Sequence, residues 1–155
     1  MSVSVSLDPQ TTELNDILND GFFPNVSASR FMATMHIDPD LDGEVISRTL
    51  LVAMSRTNRE LRTYKANKLE CGFPELSDVN DAQINGQNEL EFHYEEAVFS
   101  YAKAQLSETY ADTDTTVIAQ AKTDLKEESA DRFFRRHIEA VRFIKGKSRS
   151  AVKLV

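Results

Sequence analysis

The chain has 155 residues, of which 41% are hydrophobic and 28% charged, enough apolar material for one domain with a real core. Its formal charge of −7 argues against a general nucleic-acid binder, and its apolar runs fall far short of the ~20 residues of a membrane span. The single Cys71 cannot form an internal disulfide and points to a reducing compartment.

Residues 1–20 read as a separate N-terminal arm. Val3, Val5 and Leu7 alternate with serines, a period-two pattern too short to make a sheet alone. The segment is either a flexible arm or a strand added to a neighbour. The opening MSVSVSLDPQ lacks the basic start and apolar centre of a secretory signal. Phe22, Phe23 and Pro24 form the first strongly apolar cluster and should anchor the arm, since two adjacent phenylalanines are costly to leave in water.

From Phe22 to Gly146 the apolar spacing is helical. Asn25 or Ser27 can cap a short helix reaching about Met35, and Asp38-Pro39-Asp40 interrupts the pattern. One long helix is expected from Leu41 to about Cys71, with Ile46, Leu50, Ala53, Met54, Thr57, Leu61 and Tyr64 on its apolar face. Gly72 and Pro74 should end it, and Phe73 should fold back onto the core. Residues 75–87 read as a connector with turns at Asn80-Asp81 and Asn85-Gly86, pinned by Leu76, Val79 and Ile84.

The stretch from Asn88 to Tyr110 is the element around which the rest should pack. Leu90, Tyr94, Ala97, Tyr101 and Ala104 recur at steps of three and four, while Phe92, Phe99 and Leu106 make a second line at steps of seven. A helix covered from one direction needs a single stripe; two stripes predict a helix covered from several. Asn88 with Glu91 three residues on resembles a capping box, and 23 residues would span roughly 35 Å. A polar loop should follow at Ala111–Thr116, extending as far as Thr123. The last helix is expected over Asp124–Lys145, with Ala130, Phe134, Ile138, Val141 and Ile144 on its apolar face and Gly146 at its end. These elements predict an all-α fold: a small bundle of one short and three long helices over 21–147, an extended arm before it and an extended tail, Ser148–Val155, after it.

Candidate chemistry is sparse. His36, His93 and His137 show no metal-ligand spacing with one another or with Cys71, and His93 reads as a satisfied histidine on the central helix. Glu95 and Glu96 are adjacent, so on a helix they point about 100° apart and do not converge on one atom. Cys71 reads as a small buried or half-buried residue. Phosphate-binding and dinucleotide glycine motifs are absent from the sequence. No catalytic residue, metal ligand or cofactor site is assigned, and an enzyme is not expected.

Charge is distributed unevenly. From Asp131 onward eight basic residues face two acidic ones, a local +6 that leaves the first 130 residues at −13. A polarised molecule suits stacking on copies of itself or meeting an acidic partner. The tail joins apolar anchors (Val152, Leu154, Val155) to charges (Arg149, Lys153) behind Ser148, a combination suited to docking on a partner. A helix-turn-helix regulator would need a short second helix with basic and amide side chains at its start. Here the most basic segment, RFFRRHIEAVRFIKGK, begins behind an acidic stretch; a small helical DNA-binding regulator is kept as the alternative.

Taken in order, the motifs resemble the GpL family of phage head completion proteins. The resemblance runs from about Phe22 to the C-terminus. It rests on Phe22-Phe23-Pro24; Asn58-Arg59-Glu60-Leu61 with Tyr64; Gly72-Phe73 with Leu76 and Asp78-Val79; Ile84-Asn85-Gly86; Tyr94-Glu95-Glu96-Ala97-Val98; Ala104 with Leu106 and Tyr110; and Ala140-Val141 through Ile144 to Arg149. It implies a structural virion protein that attaches to the portal vertex after DNA packaging. There it would form a ring of its own copies, dodecameric when docked, and receive the tail or its completion protein. DNA would be met only as it passes through the channel, no membrane would be involved, and the protein would reside in the host cytoplasm until assembly.

Overall fold

The computed structural model describes residues 15–111 and 117–147. The chain is helical as expected: α1 (Ala28–Thr34), α2 (Gly43–Glu60), α3 (Arg62–Glu70), α4 (Glu89–Ala111) and α5 (Val117–Ile144), with a 3₁₀ turn at Leu76–Asp78 and a two-stranded hairpin, β1 (Gln83–Ile84) and β2 (Gln87–Asn88), between α3 and α4. The helix ends follow their local chemistry. Ser27 caps α1 by accepting from the Arg30 amide, Asp42 caps α2 through Glu44, and Asn88 accepts from the amides of Leu90 and Glu91 at the start of α4. At the far ends Gly72 and Gly146 both have positive φ. Each closes a Schellman pair: Gly72 to Leu69 and Phe73 to Lys68, then Gly146 to Phe143 and Lys147 to Arg142.

The central element is α4. It packs most extensively on α5 and next on α2, and Leu90, Tyr94, Ala97, Val98, Phe99, Ala102, Ala104 and Leu106 are all buried. Contact with α5 runs through Glu96, the Ala97 carbonyl, His93 and Tyr101. Tyr101 is half-buried, edge-on to Phe134. Phe92 departs from its expected stripe: it is 36% exposed, while Phe143 of α5 stacks on the neighbouring His93 at 3.7 Å. Phe22 and Phe23 are core residues; Phe23 stacks on Tyr94 with ring centroids 4.8 Å apart, an arrangement worth about 0.5–1.5 kcal/mol beyond burial. The carbonyl of Phe22 accepts from the Leu76 amide at 2.9 Å, which ties the start of the domain to the connector.

Several expectations need correction. The long helix from Leu41 to Cys71 is two helices, broken at the fully buried Leu61. Neither glycine nor proline lies there. Leu61 leaves helical geometry there, with φ −97° and ψ 8°, and α3 buries no residue that would hold it in line. The last helix begins at Val117 rather than Asp124, consistent with the good helix formers Ala119 to Lys122. Among residues 129–144 the buried positions are Ala130, His137, Ala140, Val141 and Ile144, with Phe133 and Phe134 half-buried, whereas Ile138 is 51% exposed. Cys71 is exposed.

The connector also differs in detail. Leu76 is buried and Val79 packs on the core, but Ile84 sits on the exposed hairpin and Phe73 is only half-buried. Residues 15–20 belong to the domain and not to a free arm. Ile17 and Val26 exchange backbone hydrogen bonds at 2.8 and 3.0 Å, and Lys65 binds Asp20 at 2.8 Å. Val3, Val5 and Leu7 lie outside the described residues.

Candidate interaction surfaces

Most of the polar groups that sequence offered for chemistry, His93, His137, Glu95 and Glu96, are engaged with neighbouring elements of the bundle. Tyr94 donates its phenol hydrogen to Asn58 Oδ1 and accepts from Asn19 Nδ2 at 2.8 Å, while Asn58 Nδ2 donates to Asn19 Oδ1 at 2.9 Å. This closed triangle joins the first described turn, α2 and α4. Burial pushes the Tyr94 phenol well above its ordinary pKa, which keeps it a neutral donor. His137, 2% exposed, lies between the Ala97 carbonyl at 2.8 Å and Glu60 Oε2 at 3.1 Å. Burial alone would raise the Glu60 carboxyl, but the hydrogen bond from Arg56 and the proximity of His137 hold it below the usual range.

Glu95 and Glu96 point to different partners, as adjacent helical residues must. Glu95 pairs with Arg30 of α1 at 3.0 Å, and Glu96 receives Arg136 of α5 through Nε at 2.9 Å. Burial raises the pKa of Glu95, partly countered by Arg30. Burial likewise lowers that of His93, which stacks on Phe143. Among the described residues no group of three or more His, Cys, Asp or Glu side chains could hold a metal ion, and no buried side-chain polar atom is without a partner. These are staples between elements, and sequence periodicity gave no sign of them because the partners of Tyr94 and His137 lie 36 to 77 positions away.

Two exposed surfaces remain. The first is a groove lined by Tyr64, Lys68, Val79, Asn80, Leu90, Phe143, Ile144, Lys145, Gly146 and Lys147. It joins an apolar floor to three lysines at the point where the chain leaves α5. The docking residues expected from sequence, Ser148, Arg149, Val152, Lys153, Leu154 and Val155, follow directly and lie outside the described residues. The second surface is the outer face of α2. There Leu51 and Val52, 52% and 44% exposed, are flanked by Arg48, Ser55, Arg56 and Arg59 in one groove and by Leu18, Asn58, Arg62 and Lys65 in an adjoining one. Periodicity missed this second surface because the same helix carries a stronger apolar stripe inward. The signal available was Leu51 and Val52 lying off that stripe.

Comparison with known proteins places the whole arrangement. Residues 17–155 match the model of the phage head completion protein (GPL) family. The chain is 31% identical over 139 residues to the head completion/stabilization protein of Escherichia phage P2, covering 90% of this chain and 82% of that protein. It is 24% identical over 139 residues to the probable head completion/stabilization protein of Haemophilus phage HP1 (strain HP1c1), covering 90% and 91%. No solved structure matches the chain. The match begins at residue 17, where Ile17 pairs with Val26, and therefore takes in the whole helical bundle and the tail: the chain belongs to the phage head completion protein (GPL) family.

Proposed function

We propose that the protein completes the phage head by docking on the portal after DNA packaging, as a ring of copies that prepares the vertex for tail joining. The observation that carries this reading is the family match, which extends through Val155 and so includes a tail with anchors and charges beyond Gly146. The bundle acts as a stiff block and the tail as its grip. Gly146, with φ of +69°, turns the chain out of α5 beside a groove that already offers Phe143, Ile144 and three lysines. A strand-like tail of this composition can add to a partner's edge or fill its grooves. Single contacts of that kind are weak, but copies arranged in a ring engage the portal multivalently.

The acidic body completes the picture. A ring multiplies the −13 carried by residues 1–130, and DNA adheres through phosphate contacts to lysine and arginine. An acidic lumen would let it slide. The connector 75–87 and the segment 111–123, where α4 gives way to the start of α5, are the segments proposed to line that lumen or to meet the next copy. The protein acts through shape and adhesion, without catalysis or cofactor.

The test is deletion of Ser148–Val155. Association with the portal protein encoded by the same phage should be lost while the helical circular dichroism stays unchanged. Undiminished association of the shortened chain would refute the tail's role.

A further inference from the structure

The outer face of α2 has a symmetry that the docking role does not use. Glu44, Arg48, Leu51 and Ser55 follow one another at steps of four, three and four, with Val52 and Arg59 alongside, so all six lie on one side of the helix. The face starts acidic, is aliphatic at its centre and ends basic. Leu51 and Val52 are about half exposed; Glu44, Arg48 and Arg59 are exposed, and none of the three forms an ion pair among the described residues. Turned end for end about a point between Leu51 and Val52, the face meets itself in register. Leu51 then falls opposite Val52, Arg48 opposite the Ser55 hydroxyl, and Glu44 opposite Arg59.

We infer that α2 is a self-association surface on which a second copy of this chain docks antiparallel across a two-fold axis. An isologous contact requires a patch complementary to its own rotated image, and this helix supplies that in charge and in apolarity over its length of about 27 Å. Grooves on both sides of the Leu51, Ser55 and Arg59 ridge give the partner's ridges a place to seat. A nucleic acid would be repelled by Glu44 and gain nothing from Leu51 and Val52. Burying arginines around an aliphatic centre is instead the composition of a protein contact. One helix face is small for a stable dimer, so the pair is weak and concentration-dependent. It stands apart from the ring on the portal, which needs head-to-tail contacts, and it forms in the absence of other virion proteins.

The experiment is sedimentation velocity of the full chain over a concentration series, with circular dichroism as the folding control. The wild type should pass from monomer to dimer as concentration rises. Glu44→Arg or Arg59→Glu alone should weaken the dimer about tenfold, and Leu51→Asp should abolish it. The double variant Glu44→Arg/Arg59→Glu should recover it, because the exchanged charges meet again only in the antiparallel register. In a Cys71→Ser background, Val52→Cys should form an intermolecular disulfide under mild oxidation. A chain that stays monomeric throughout overturns the inference. A dimer indifferent to these substitutions, or a double variant that does not recover, overturns it equally.

Discussion

Tyr94 shows how much a single side chain carries in this molecule. Its ring stacks on Phe23 and its hydroxyl closes the triangle with Asn19 and Asn58. Tyr94→Phe keeps the stack and leaves both amides with a missing partner, so unfolding free energy should drop by about 1–3 kcal/mol, measurable by urea titration. Asp20 is the acid-sensitive counterpart. Burial would raise its pKa, but Lys65 and the amides of Phe23 and Phe22 more than offset this and hold it below the ordinary value. A depressed carboxyl contributes stability above its unfolded pKa of about 3.9, and that contribution is lost as pH falls through the lower folded value. The stability gap between wild type and Asp20→Asn should therefore be open at neutral pH and shrink below about pH 4. A gap that stays constant in urea titrations across that range would remove the role assigned to this carboxylate. The helical period identified Tyr94 as a core position. It could not identify Asn19 and Asn58, since polar side chains far away in sequence leave no periodic trace.

At the level of elements, terminal chemistry was more legible than interior geometry. Ser27, Asn88, Gly72 and Gly146 mark helix ends as their residue types predict, because capping depends on a few neighbouring amides and carbonyls. The break at Leu61 is hidden in the sequence: Thr57, Leu61 and Tyr64 continue the apolar period without a flaw, and no glycine or proline marks where Leu61 leaves helical geometry. The face of α5 was misjudged for a related reason. His137 is polar and so falls outside an apolar stripe, although its two ring nitrogens find partners inside and Ile138 lies in solvent instead. Gly146 offers an element-scale test. A β-carbon there meets no atom within 4 Å, so Gly146→Ala suffers only from its left-handed backbone, about 1–2 kcal/mol. Thermal unfolding should report that loss, and a neutral substitution would mean the Schellman turn has opened.

For the whole molecule, fold class was written in the hydrophobic spacing, and the family in a dispersed set of short motifs. The division of labour among the helices was less accessible, since which helix covers which side of α4 depends on tertiary docking. Surface polarity has its own measurable outcome. If the basic end and tail meet an acidic surface, raising ionic strength above the physiological range should weaken the proposed portal association, as screening shortens the reach of exposed charges. Salt-insensitive association would assign the contact to the apolar anchors alone.

Helix α3 has one more implication. On one flank Lys65 holds Asp20, close to where the described chain begins; on another, Tyr64 and Lys68 border the groove from which Lys147 departs. Residues near both ends of the described chain thus border α3, a helix with no fully buried residue. A neighbour seated on α3 would therefore meet Asp20 on one flank and the groove beside Lys147 on the other, without the block having to change shape.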